Sequence, residues 1–174
     1  TVRTIYQMNL RNKDSYQTHL TDFLKYDILV ICPKCSGKAV VHSGHFPIAP
    51  EDVHAVKLIC STCGYNKRLS ETPETFPSGS PHKSATGRHY VLGGEIDPFF
   101  FAPLWLKTDF EQHTLWAYNY EHLDFLRRLV EAKHRERNLQ KPVNKSLGSR
   151  LPKWMTSQKH RDLILKKLDE LRNG

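Results

Sequence analysis

The first 27 residues mix apolar and polar positions without a sustained period; only Leu20, Phe23 and Leu24 fall at a spacing that suits a short helix, after Thr18 or Thr21. From Asp27 the pattern changes. Ile28-Leu29-Val30-Ile31 is an apolar, mostly β-branched run into Cys32, and Lys38-Ala39-Val40-Val41 follows Cys35. Residues 55–59 then lead into Cys60, and residues 65–69 follow Cys63, so four strands are predicted around two cysteine pairs. Residues 70–87 are rich in Ser, Thr, Pro and Gly and almost empty of apolar side chains, which predicts a loop or linker. Beyond it, residues 88–92 read as a strand, Gly93-Gly94 as a turn, and residues 98–103 as an apolar stretch between prolines. Residues 104–107 and 114–118 read as a hairpin around residues 109–112. Most of the aromatic core is expected here.

From Glu121 the period moves from two toward 3.6. Leu123, Leu126 and Val130 align, flanked by Phe125 and Leu129, and predict a helix of about 15–20 residues that ends near Pro142. A polar link over residues 144–149 precedes a final helix, capped by Thr156 or Ser157, with Ile164, Leu168 and Leu171 on one face. The expected fold class is α+β: antiparallel β-hairpins around the cysteines, joined to a small antiparallel sheet with two C-terminal helices. The corresponding segments are an N-terminal piece (1–26), the cysteine module (27–70), a flexible linker (71–87), a β-rich core segment (88–120) and a basic helical segment (121–174).

Composition narrows the class. Hydrophobic residues make up 39% and charged residues 25%, which excludes a disordered chain, and no apolar run nears the roughly 18 residues of a membrane span. Residues 1–5 show no apolar signal core, and all four cysteines sit in two Cys-x-x-Cys pairs, so a reducing cytoplasm is expected. The net charge of +8 is uneven: residues 1–120 carry 12 Lys and Arg against 11 Asp and Glu, while 121–174 carry 14 against 7. Such a basic third suits an acidic partner, commonly nucleic acid, through counterion release from phosphates.

The cysteines carry the most specific chemistry. Cys32 and Cys35 are separated by two residues, Cys60 and Cys63 likewise, with 24 residues between the pairs. Two intervening residues let one tight turn aim both thiolates at a tetrahedral ion while its amides donate to the sulfurs. Cys32-Pro33-Lys34-Cys35-Ser36-Gly37 and Cys60-Ser61-Thr62-Cys63-Gly64 both hold the needed turn residues; Gly37 and Gly64 are expected at positive φ. A redox dithiol would need no second copy, and an iron–sulfur cluster would also use four cysteines. Zn2+ is the expected ion, and four thiolates leave it no open position, so its role is expected to be structural.

These knuckles resemble those of zinc ribbons of the transcription-factor-B type, over about residues 27–70. More loosely the whole chain, with Thr114-Leu115-Trp116-Ala117-Tyr118-Asn119 and Ser149-Arg150-Leu151-Pro152-Lys153-Trp154-Met155, resembles bacterial proteins described only as zinc-ribbon-containing. The resemblance implies a docking module for nucleic acid or protein, with Cys32, Cys35, Cys60 and Cys63 as ligands, and no activity.

His42, His45 and His54 lie near the knuckles but are read as loop residues, since four cysteines already complete the shell. His82, His89 and His113 lack a partner at catalytic spacing, and Gly93-Gly94 lacks the pattern of a phosphate loop. Phe99, Phe100, Phe101, Trp105, Trp116, Tyr118 and Tyr120 suit a core better than base stacking, and Trp154 suits packing of the last helix. The basic set Arg127, Arg128, Lys133, Arg135 and Arg137, expected on one helix, continues with Lys141, Lys145, Arg150 and Lys153 as nucleic-acid contacts. Against it stands a solvated face with intrahelical pairs such as Asp124 to Arg128 or Glu131 to Arg135. The expected protein is a non-enzymatic nucleic-acid-binding or regulatory protein, or alternatively an adaptor or inhibitor docking on another protein through the ribbon and its aromatic surface. Neither a membrane nor a small-molecule substrate is inferred.

Overall fold

Among the described residues, a short two-residue strand, β1 (Arg11–Asn12), and a 3₁₀ turn over Leu20–Lys25 are the first elements, the turn standing where a short helix was expected. The structure, a computed structural model, describes residues 11–12, 17–44, 46–73, 88–132, 134–135 and 146–174. Asp22 accepts the His19 amide at 2.7 Å, closing the entry to the turn and letting Phe23 and Leu24 point inward. The chain divides into two compact units, Leu24–Trp105 and Leu106–Gly174 together with Thr1–Phe23. Residues 88–105 therefore group with the cysteines, and the hairpin that follows groups with the helices.

In the cysteine-bearing unit, β2 (Ile28–Ile31), β3 (Lys38–His42), β4 (Lys57–Ile59) and β5 (Asn66–Arg68) form an antiparallel sheet in sequence order. Ile28, Leu29 and Val30 are all buried, which explains why β2 reads as a continuous apolar run rather than an alternation. Both its edges are paired as well. β3 pairs with one edge, and on the other Ile31 donates to the Pro103 carbonyl at 2.8 Å and Trp105 donates to Leu29 at 3.0 Å. β3 alternates as expected, with Ala39 and Val41 inward. Leu24, Ile28, Val30, Val41 and Leu58 form the heart of this core, each contributing about 1.5–3 kcal/mol by burial.

Residues 88–92 are irregular rather than the expected strand. Side-chain packing holds them instead of a ladder: Tyr90 meets Phe46 and Phe99 edge-on, and Arg88 donates to Thr72. The described part of the expected linker, residues 71–73, follows a 3₁₀ turn over Leu69–Glu71; the remainder, with His82, lies outside the described residues, as does His45.

The second unit begins its sheet with the hairpin β6 (Leu106–Phe110) and β7 (His113–Ala117), longer and tighter than the spacing predicts because Glu111 takes a φ of 52° and closes a two-residue turn. Helix α1 (Tyr120–Glu131) buries Leu123, Phe125, Leu126, Leu129 and Val130, the stripe expected from its period. Asn119 starts it by accepting the His122 amide at 3.0 Å and also donates to the Phe23 carbonyl at 2.8 Å. The helix is 12 residues long, shorter than expected, and Ala132 is already extended. Past Ala132 the sequence offers no apolar side chain before Leu139, so a longer helix would have no face to bury. His134–Arg135 instead form β8, parallel to β1. Helices α2 (Leu147–Arg150) and α3 (Lys153–Thr156) are single turns, and α4 (Arg161–Asn173) buries Ile164 and Leu168. No helix among the described residues is long and apolar enough to cross a membrane.

Trp154 stacks on Phe110 at 5.2 Å and on His113 at 4.8 Å, the packing role expected of it. His122 was not singled out by its sequence context. It is 1% exposed, stacks on Phe23 at 4.6 Å and accepts the Tyr118 amide on Nδ1. Burial pushes its pKa down to about 3, so the folded protein holds it neutral. A histidine whose folded pKa lies below its unfolded value stabilises the fold above that unfolded value, about 6.5, and loses this as pH falls toward 3. The melting temperature is expected to fall between pH 6.5 and 4, and His122→Gln should flatten that fall when both are followed by circular dichroism.

Candidate metal centre

Each cysteine pair occupies a knuckle at the end of a strand. Cys32 ends β2 and its amide donates to the Gly37 carbonyl at 2.8 Å, while Ser36 donates back to the Cys32 carbonyl at 2.9 Å. The second knuckle repeats this: Cys60 donates to Tyr65 at 2.8 Å and Gly64 to Cys60 at 3.0 Å. In both, the residue directly after the second cysteine is left-handed, Ser36 at φ 58° and Gly64 at φ 72°. Gly64 behaves as expected; Gly37 does not, because the structurally equivalent position is Ser36. Gly37 lies where the knuckles meet: a Cβ there would be in ordinary van der Waals contact, 3.4 Å from the Cys35 sulfur and 3.6 Å from Thr62 Oγ1.

The two knuckles bring four sulfurs together across the sheet. Cys32 and Cys63 Sγ are 3.7 Å apart, as are Cys35 and Cys60 Sγ, and all four atoms lie within 4.8 Å of one another. No pair is bonded, since a disulfide would bring its sulfurs to about 2.05 Å. Ligands about 2.3 Å from a tetrahedral ion are about 3.8 Å apart, which the two cross-knuckle contacts match. The arrangement therefore fits one metal ion and suits zinc, whereas a multi-iron cluster would need the sulfurs farther apart. The Lys34 amide approaches Cys32 Sγ at 3.4 Å, the kind of donor that supports a metal thiolate.

The surroundings already favour ionised sulfur at one ligand. The Cys63 amide, joined by that of Thr62 and by the Cys35 and Cys32 thiols, outweighs burial and pulls Cys60 down to about 6. At Cys35 the Gly37 amide acts in the same direction, but the Cys63, Cys60 and Cys32 sulfurs and desolvation prevail and push it up to about 12. Four touching sulfurs share protons, and a divalent ion at their centre displaces them.

Among the described residues no histidine or carboxylate joins the cluster. His42 bonds Asp27 at 2.6 Å, and His54 ends a 3₁₀ turn and is exposed. Comparison of the chain with protein-family models, with curated proteins and with solved structures finds no match.

The described members of the basic set do not share one helix. Arg127 and Arg128 lie on α1, Arg135 is on β8, Arg150 ends α2 and Lys153 begins α3. Lys133, Arg137, Lys141 and Lys145 lie outside the described residues. Arg127 is engaged, bonding Asp169 on α4 at 2.9 Å and Glu131 at 3.1 Å, and Asp124 pairs with Arg172 rather than with Arg128. Of the aromatic set, Phe99 and Tyr118 are buried as core, whereas Phe101 is 45% exposed.

Asp97 was missed by sequence reasoning. Its buried carboxylate accepts the amides of Phe99 at 2.9 Å, Phe100 at 2.8 Å and Ala102 at 2.6 Å. Burial raises its pKa against the pull of those amides. The signal was the Asp97-Pro98 pair, since aspartate before proline commonly closes a turn on its own backbone.

Removal of one ligand by Cys60→Ser is expected to abolish stoichiometric metal binding and unfold the cysteine-bearing sheet, read by metal analysis and amide-proton dispersion. Ser36→Gly should raise stability by about 0.5–1 kcal/mol in chemical denaturation, with metal content unchanged, because glycine occupies the left-handed region without a Cβ clash.

Proposed function

We propose that this chain is a zinc-ribbon protein of the cytoplasm, non-enzymatic, that binds nucleic acid or regulates through it, using a basic C-terminal surface. The observation that carries the reading is the surplus of cations in residues 121–174, 14 against 7 acidic groups. Part of that surplus is exposed: Arg128, Arg150, Lys153, Lys159 and Lys166 face solvent and have no ion-pair partner among the described residues. Exposed cations of this kind neutralise phosphates and release counterions. The closed shell of Cys32, Cys35, Cys60 and Cys63 supports a structural ion, because a catalytic zinc keeps one position for water or substrate.

The second reading is an adaptor or inhibitor that docks on another protein. Phe101 and Leu92, 45% and 41% exposed in the cysteine-bearing unit, favour it. The two readings part on salt. Nucleic-acid binding by fluorescence anisotropy is expected at about 50 mM salt and should weaken by orders of magnitude toward about 200 mM, as several phosphate contacts require. Absence of any binding at the lower salt would sink the first reading.

A further inference from the structure

The cysteine-bearing unit holds a cavity of about 410 Å³ beside the first knuckle, reaching from Pro33 to Phe101. Its size falls within the range of ligand sites, and its lining is unusual in combining aromatic rings with cations. Tyr65, next to the left-handed Gly64, and Tyr90, Phe100 and Phe101 contribute rings; Lys67 and Arg88 contribute positive charge. No carboxylate is found among the described lining residues.

Several of these groups are held in place. Tyr90 is gripped edge-on by Phe46 at 5.5 Å and by Phe99 at 5.6 Å. Arg88 is fixed by Nη1, which donates to Thr72 Oγ1 at 2.6 Å and to the Thr72 carbonyl at 3.2 Å. Phe101 stands at φ 58°, which costs a residue with a Cβ on the order of 1–2 kcal/mol, and the three amide bonds to buried Asp97 enforce it. The outcome of that strain is a phenyl ring turned toward solvent at the cavity rim instead of into the core.

We propose that this groove binds single-stranded nucleic acid, with bases stacked on its rings, Phe101 foremost, and phosphates on Lys67 and Arg88. The inference rests on the nucleic-acid reading above and adds a second contact, in the metal-bearing unit. Ring faces accept any base, and cations without acidic neighbours attract phosphate. An apolar peptide in the same groove would desolvate Lys67, which has no ion-pair partner among the described residues, without supplying a counter-charge.

The test is fluorescence anisotropy of the metal-loaded full chain with labelled oligothymidylate and with a duplex of equal length. Phe101→Ala should weaken the single strand by about 5- to 150-fold, the range for loss of one stacked base, and leave the duplex unchanged. Phe101→Trp should restore binding, and Lys67→Ala should lower the salt slope for the single strand by about 0.7. Metal content and melting temperature of each variant establish that the fold is kept, which the exposure of Phe101 favours. Unchanged single-strand affinity in Phe101→Ala and Lys67→Ala, with wild-type binding intact, overturns the groove and leaves the basic C-terminal surface standing. Failure of the wild type to bind either nucleic acid overturns both. Uptake of a proline-rich peptide that Phe101→Ala abolishes, with the oligonucleotide indifferent to that change, assigns the groove to a protein partner and overturns the proposal.

Discussion

Four sulfurs drawn within 4.8 Å of each other cannot all ionise without a cation between them, and the sheet of the cysteine-bearing unit is arranged around that demand. β2 and β4 each deliver a cysteine at the strand end, and each knuckle folds back through the same pair of backbone bonds. An ion held by the four cysteines would cross-link both hairpins at one end of the sheet, adding to the apolar core that the strands bury. Gly37 lies where the two knuckles meet, with a Cβ position 3.4 Å from the Cys35 sulfur and 3.6 Å from Thr62 Oγ1.

The remaining order in each unit depends on single buried polar groups that organise backbone. Asp97 takes three amides in the cysteine-bearing unit and shapes the segment that carries Phe99 inward and Phe101 outward. Asn119 does comparable work in the other unit, closing the first turn of α1 and tying it to Phe23. Each uses a short side chain to satisfy backbone groups that neither a helix nor a sheet would satisfy at that point, which is why burial of these polar atoms is tolerated. His122, beside Asn119, joins the same network as an acceptor for the Tyr118 amide and is held neutral by burial.

Charge follows a different logic. The sequence offers two readings of the C-terminal cations, a basic helix face open to phosphate or a solvated face with pairs inside the helix. Arg127 does pair within α1, with Glu131, but it also reaches Asp169 while Arg172 reaches Asp124, so two further pairs join α1 to α4. Exposed pairs of this kind contribute little to stability, typically under about 1 kcal/mol, but they consume cations that a sequence count treats as available. Among the described residues, part of the positive charge that composition counts is therefore already paired between α1 and α4.

Local chemistry decided what was legible beforehand. The four cysteines, the strands around them and the stripe Leu123, Leu126, Val130 were readable because a metal knuckle, a β-branched run and a 3.6 period each leave a signature within a few residues. Where pairing or burial depends on distant residues, no such signature exists. The end of α1 at Ala132 reflects the lack of an apolar face beyond it and the pairing of β8 with β1, more than a hundred residues away in the chain. The irregular course of residues 88–92 goes with the rings of Phe46 and Phe99. Sequence alone thus determined the four-cysteine cluster and the α+β class of the fold, because these leave signatures within a few residues. Tertiary structure decided which cations, rings and carboxylates meet, because those contacts exist only once remote segments are packed together.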